Sequence, residues 1–184
     1  MSNARARIKT IDLIKRSILK IRVDFINSVG NAFMSDEVSN RIIRPALLRS
    51  LGLKIGEGTS IERGSWFGGP AIKIGKKCFI NKNCLFDGPG AITIEDDVVL
   101  SFGVTIFTAH HPIGNSVRRC SQVTEIRDVT VGRGTFFGAN VTVLPGVKIG
   151  KGCIIGAGAV VTKSIPDDVI AAGVPAKTLR KLQS

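Results

Sequence analysis

From residue 131 the chain can be cut into sixes without a break: VGRGTF, FGANVT, VLPGVK, IGKGCI, IGAGAV, VTKSIP. The first residue of every six is large and apolar: Val131, Phe137, Val143, Ile149, Ile155 and Val161. The same frame runs backwards through Ile55, Ile61, Phe67, then Ile74, Ile80, Phe86, then Ile94, Leu100 and Ile106. A period of six is neither helical nor a plain alternating strand. It predicts short strands meeting at tight corners, with coils stacked into a prism, an all-β parallel β-helix. Three sixes make one triangular coil, so about five coils are expected, in a domain over 53–184.

The frame is interrupted by one extra residue between 67 and 74, by two between 86 and 94 and by nineteen between 106 and 131. Each interruption follows a third hexapeptide, so all leave from one corner. The longest is an excursion over 112–130. Loops grafted at one place on a rigid scaffold are where function concentrates. The fifth residue of each six is expected to point inward with the first. That assigns Cys78, Cys84 and Cys153 to the core as small hydrophobes and leaves Cys120 as a free thiol in the excursion, suited to a reducing compartment. No spacing of the cysteines suggests a zinc site or a disulfide framework.

Ahead of the repeat, 1–52 reads as a helical appendage. Ile8, Ile11, Ile14, Ile18, Ile21, Phe25 and Val29 recur at threes and fours, an amphipathic helix expected to pack on the prism or on a neighbouring subunit. Its other face carries Arg7, Lys15, Arg16, Lys20 and Arg22, for which a peripheral contact with an anionic membrane is the second reading. Residues 38–52, with Pro45 near the start, suggest another short helix. The first twenty residues lack a continuous apolar core and a cleavage-like site, so no signal peptide is expected. No apolar run reaches about 18 residues, so no spanning helix is expected either.

The formal charge of +12 points to anionic partners. No basic run is interleaved with aromatics, and nucleic acid is not expected. The only two histidines are adjacent, in IFTAHHPIGN over 106–115. His110 falls at a fifth position and is expected to line the interior. His111 falls at the corner facing the excursion, and Pro112 biases it toward extended backbone.

The hexapeptides, the HP pair after the third coil and the block VLPGVKIGKGCIIGAGAVVTKSIPDDVIAAGVPAKTLRK together resemble the hexapeptide-repeat O-acetyltransferases. The similarity covers about residues 50–181 and is greatest to the maltose, galactoside and polysaccharide branch. It implies a left-handed β-helix, a homotrimer with active sites between subunits, and transfer of an acetyl group from acetyl-CoA to a saccharide hydroxyl without a metal. It also implies a cytoplasmic enzyme, with surface polysaccharide synthesis as one setting. His111 matches the family's general base. Asn81 matches an acceptor-binding asparagine, with Asn83 and Asp87 on the same coil; the family's acidic residue aligns near Pro89, and Asp87 is displaced from it. Ala139, Ala157, Thr162, Lys163, Lys177 and Arg180 match CoA contacts. Phe136 stands where a Trp is frequent, which keeps an aromatic wall without the indole hydrogen bond. Transfer to an amino-sugar nitrogen, or a non-catalytic β-helix scaffold, are the alternatives. A γ-class carbonic anhydrase needs three zinc-binding histidines, one more than this chain has. Serine acetyltransferase needs a larger helical domain than these fifty residues. The acceptor is not named by the sequence.

Overall fold

The computed structural model describes residues 36–50 and 52–183, together with residues 17, 18, 20, 21, 23–25, 27–29 and 31. The hexapeptides form a prism of three parallel sheets. The first face stacks Lys54–Ile55, Ile72–Ile74, Ile92–Ile94, Val129–Val131 and Lys148–Ile149. The second stacks Ser60–Ile61, Phe79–Ile80, Val99–Leu100, Phe136–Phe137, Ile154–Ile155 and Val169–Ala172, closed by the antiparallel strand Lys177–Lys181. The third stacks Trp66–Phe67, Leu85–Phe86, Thr105–Ile106, Thr142–Val143 and Val160–Val161. Five coils are complete. A partial sixth follows, begun by the bridge of Ile165 to Ile149 and continued by Val169–Ala172.

Register is set by the six-residue period, since like positions pair: Ile55 with Ile74, Ile74 with Ile94, Ile94 with Val131, and Val131 with Ile149. All fifteen first-position residues are buried. Phe67 and Phe86 stack with ring centroids 4.7 Å apart. Cys78, Cys84 and Cys153 are buried and unpaired, and Cys120 is exposed. The first two corners of each coil place a left-handed residue at the fourth position, filled by glycine, by a short polar side chain such as Asn83, φ +59, and Asn140, φ +56, or by Lys77, φ +54.

The helical residues differ from expectation in one respect. Val23 and Asn27 face the prism, whereas Ile18, Ile21 and Phe25 are exposed. Those three of the stripe therefore do not pack on their own β-helix, while Val29 is half-buried; Ile8, Ile11 and Ile14 lie outside the described residues. The second helix has a π-helical segment, Ser39–Ile43, running into the α-helix Arg44–Ser50. The Arg44 N–H reaches back to the Ser39 carbonyl. Pro45 follows directly, so the widened turn sits where proline withholds an N–H from the α-helical pattern. Among the described residues no helix is long and apolar enough to cross a membrane.

Candidate active site at the loop corner

The hexapeptide frame slides at the corner between the third and first faces. After Ile106 the inward slot is taken by Thr108, fully buried, whose hydroxyl donates to the Asp87 carbonyl at 2.8 Å and accepts from the Gly90 N–H at 3.0 Å. The next inward residue is Val129, in register with Ile92. The chain thus leaves the prism after Thr108 and rejoins it at Val129, earlier at both ends than the expected 112–130. Ala109–His110 pairs antiparallel with Glu125–Ile126 as a stem.

His110 is therefore not interior lining. Its side chain is 37% exposed, with Nε2 3.4 Å from Glu125 Oε2, and its buried Nδ1 has no hydrogen-bond partner among the described residues. Arg127 holds the same carboxylate at 2.7 Å. Counting in sixes fails here because each coil absorbs its extra residues at this corner; Ala71, at the equivalent place, is also exposed. The first face is lined instead by Ile72, Ile92 and Val129.

His111 is exposed, and its Nδ1 lies 3.0 Å from the Val123 carbonyl oxygen. A carbonyl can only accept, so a neutral ring carries its proton on Nδ1 and leaves Nε2 with a bare lone pair. The excursion that supplies Val123 is internally tied: the Gly114 N–H donates to the Arg119 carbonyl at 2.7 Å, and Asn115 Oδ1 accepts from the Val117 and Arg118 N–H groups at 3.0 Å. No thiol competes as a nucleophile in the core, where burial pushes Cys84 up to about 11 and raises Cys78 and Cys153 as well. Among the described residues no three His, Cys, Asp or Glu side chains converge as metal ligands.

The remaining site residues fall on more than one corner. Asp87 lies on the loop corner, its N–H bonded to the Ile106 carbonyl at 2.9 Å. Asn81 and Asn83 lie on the corner between the second and third faces. Asn81 Oδ1 accepts from the Lys82 N–H at 2.7 Å, and the Asn83 amide lies over Gly64, where a Cβ would meet its Oδ1 at 2.0 Å. Ala139 and Ala157 occupy the same corner two and three coils further on, joined through the Gly158 N–H to the Ala139 carbonyl at 2.8 Å. A Cβ on Gly138 would stand 2.5 Å from the Ala157 nitrogen, so the backbone there is stacked tightly with almost no side chain. Thr162 and Lys163 are exposed on the loop corner, above Leu144, whose N–H bonds the Val161 carbonyl. Lys177 and Arg180 are exposed on the last strand. None of these three cations is ion-paired among the described residues. Phe136 is 43% exposed on the second face.

One chain does not bring the two corners together. Six residues of extended chain, up to about 20 Å, separate them across the third face. What sequence reasoning missed is the segment that leads into the return strand of the excursion, whose Val123 carbonyl meets His111. Val123 acts through its carbonyl, which any residue could supply, so no signal marked it.

Residues 128–163 match the family described as bacterial transferase hexapeptide (six repeats), and residues 71–108 match the hexapeptide repeat of succinyl-transferase. The galactoside O-acetyltransferase of Escherichia coli is 33% identical over 140 residues, covering 76% of this chain and 68% of that protein. A Staphylococcus aureus protein named as an acetyltransferase is 42% identical over 113 residues, and the chain spans 56% of its length. A hexapeptide-repeat acetyltransferase of Vibrio cholerae, solved with acetyl-CoA, superposes with a TM-score of 0.79 at 29% identity, covering 91% of this chain and 89% of that one. A galactoside acetyltransferase solved with coenzyme A gives 0.73 at 27% identity, covering 91% and 82%. The maltose O-acetyltransferase of Clostridium difficile gives 0.72 at 28% identity, covering 90% and 87%.

Proposed function

This chain belongs to the hexapeptide-repeat acetyltransferases, and from that premise we propose that it acetylates a saccharide hydroxyl, with His111 as the general base. It is an acetyl-CoA-dependent acetyltransferase of the galactoside and maltose O-acetyltransferase type. The observation that carries the base assignment is the 3.0 Å contact of His111 Nδ1 with the Val123 carbonyl.

A sugar hydroxyl is a poor nucleophile at neutral pH. It gains strength if its proton is removed as the oxygen attacks, a contribution worth about 10²–10⁴-fold. Acetyl-CoA, when bound, supplies the activated acetyl carbonyl. The chain's own part is to take the hydroxyl proton on Nε2 of His111. The Nδ1–H bond to Val123 keeps the ring oriented and stabilises the positive charge that forms. As the new carbon–oxygen bond replaces the thioester carbon–sulfur bond, Nε2 gives the proton to the departing sulfur, which leaves as free thiol.

For the co-substrate we assign Ala139 and Ala157 to the pantetheine arm, because a side-chain-poor corner lets an extended chain lie against backbone. Thr162, Lys163, Lys177 and Arg180 are assigned to the phosphates, which unpaired cations suit, and Phe136 to an apolar wall. Asn81, Asn83 and Asp87 are assigned to the acceptor. Since the two corners carrying these groups are separated by a whole face, we assign the working site to the cleft between neighbouring chains of a homotrimer. The second face supports this, because its outward row of Phe79, Val99, Phe136, Ile154 and Ile170 is apolar and in register. The first face instead presents Lys54, Lys73, Thr93, Thr130 and Lys148 to solvent.

The test is release of free thiol from acetyl-CoA across a panel of mono- and oligosaccharides, with an amino sugar included. Turnover with hydroxyl acceptors is expected. Turnover confined to the amino sugar, or none with any saccharide, would overturn the assignment.

A further inference from the structure

The two helices below the first coil are apolar on the side turned away from it. On the helix that carries them, Val23 and Asn27 are buried against the prism, and Asn27 bonds both the N–H and the carbonyl of Phe67. On the next, Asn40, Arg44 and Leu48 are buried, and Arg44 donates to the Ile61 carbonyl. Both helices therefore lie across the open edge of the β-helix. At about 3.6 residues per turn, Ile18, Ile21 and Phe25 fall roughly half a turn away from Val23 and Asn27. Val38 and Ile42 stand two residues to either side of Asn40, again on the far side of their helix. All five are more than half exposed. Single exposed apolar side chains are ordinary, but two helices that both turn a set of them the same way make a contact surface.

The prism of the same chain cannot cover this face, because it occupies the other side of both helices. Charge argues against a second copy. Residues 1–22 hold seven Lys and Arg against one Asp, a surplus equal to half of the net +12, and two such segments brought together would repel. An anionic bilayer answers both features, since apolar side chains enter the boundary below the headgroups while cations stay with the lipid phosphates. Ser17, Lys20, Asp24 and Ser28, exposed beside the stripe, are the polar flanks that a helix lying in that boundary needs. We infer that this end of the prism docks on an anionic membrane surface, inserting Ile18, Ile21, Phe25, Val38 and Ile42, with the basic segment 1–22 held to the lipid phosphates. The loop corner leaves the third coil, two coils above the helices, so acetyl transfer to a soluble acceptor does not depend on docking.

Flotation of the full chain with vesicles tests this. The protein should float with phosphatidylglycerol vesicles and stay behind with phosphatidylcholine vesicles. Raising the salt from about 0.1 to 1 M, which shortens the screening length from about 10 to 3 Å, should release most of it. The double variant Ile21→Ser with Phe25→Ser should weaken binding to phosphatidylglycerol vesicles about tenfold, with melting temperature and oligomeric mass unchanged. No flotation with phosphatidylglycerol, or equal flotation with both lipids, overturns the inference. Binding that the double variant leaves intact also overturns it, by assigning the contact to the basic segment alone. A fall in oligomeric mass or in melting temperature in the double variant overturns it too, by making the stripe a protein contact. Flotation is read without turnover, so a chain that docks but releases no thiol from acetyl-CoA would refute the acetylation reading and leave the docking face standing.

Discussion

His111 and His110 share a dipeptide but not a chemistry, and the difference lies in which oxygen each ring meets. His110 meets the Glu125 carboxylate, which Arg127 also holds; His111 meets a neutral carbonyl. A carbonyl can only accept, so it fixes the tautomer of the neutral ring with the proton on Nδ1, which leaves Nε2 as an acceptor for a substrate proton. His111→Ala should therefore lower kcat by about 10²–10⁴-fold with KM for acetyl-CoA and the melting temperature nearly unchanged, since the ring is exposed. Wild-type turnover would remove it from the reaction. The proposal of His111 over His110 rests, in the sequence, on the HP pair and the long insertion. The reason given for His110 was not sound. A six-residue count cannot see that the prism closes over Thr108 and Val129, because the length of an insertion does not say at which residue the chain departs.

At the scale of elements, the repeat explains every coil except the first. In the coils above, the first-position carbonyls accept from the coil beneath, as Ile74, Ile80 and Phe86 do from the N–H groups of Gly56, Glu62 and Gly68. The first coil has no coil beneath it, and a bare sheet edge costs stability and invites pairing with other chains. Three helix side chains replace the missing strands. The carbonyl of Ile55 accepts from Arg49 Nε at 3.1 Å, that of Ile61 from Arg44 at 3.4 Å, and that of Phe67 from Asn27 Nδ2 at 3.1 Å. Asn27 goes further, since its Oδ1 also accepts from the Phe67 N–H at 3.1 Å, completing a strand-like pair. Asn31 repeats the arrangement one turn later, against Gly64 and Ser65. Arg44 is buried to the point that desolvation lowers its pKa, opposed by the nearby Glu62, and Asn40 bridges the two. The helices are thus the lid of the β-helix. Asn27→Ala should cost about 1–3 kcal/mol, read as a lowered melting temperature, because it strands the buried N–H and C=O of Phe67 together. An unchanged melting curve would show that water reaches that edge. Nothing periodic marks these caps, and an asparagine that reads backbone looks in sequence like any polar residue of a helix. The apolar stripe on the same helix was legible as a pattern but not in its orientation, since Val23 and Asn27 took the inward face.

For the whole molecule, the three faces of one prism have different surfaces, and this difference is what a symmetric assembly needs. Carboxylates gather on the corner between the first and second faces, where Asp96 accepts from the Lys76 N–H at 2.8 Å and from Arg133 at 2.9 Å. Those two contacts, the backbone one first, hold its carboxyl below the ordinary range. Lys163 on the loop corner and Lys177 and Arg180 on the last strand, all assigned to acetyl-CoA, have no carboxylate partner among the described residues. The second face carries the apolar row, and a contiguous exposed apolar strip on a rigid sheet marks a contact surface. Ile154, 36% exposed in the middle of that row and the ladder partner of Phe136, tests the assembly. Ile154→Arg places a charge where a subunit contact would have to desolvate it, a cost of several kcal/mol, while a free prism would leave the same charge in water. The expected outcome is a monomer by mass, with the β-sheet circular dichroism of the wild type and with acetyl transfer lost, because the groups on the two corners would no longer face one another. A monomer that still transfers acetyl groups at the wild-type rate would place the entire site within one chain. The separation of Asn81 and Ala139 from His111 across the third face would then have to be explained by residues other than those assigned here.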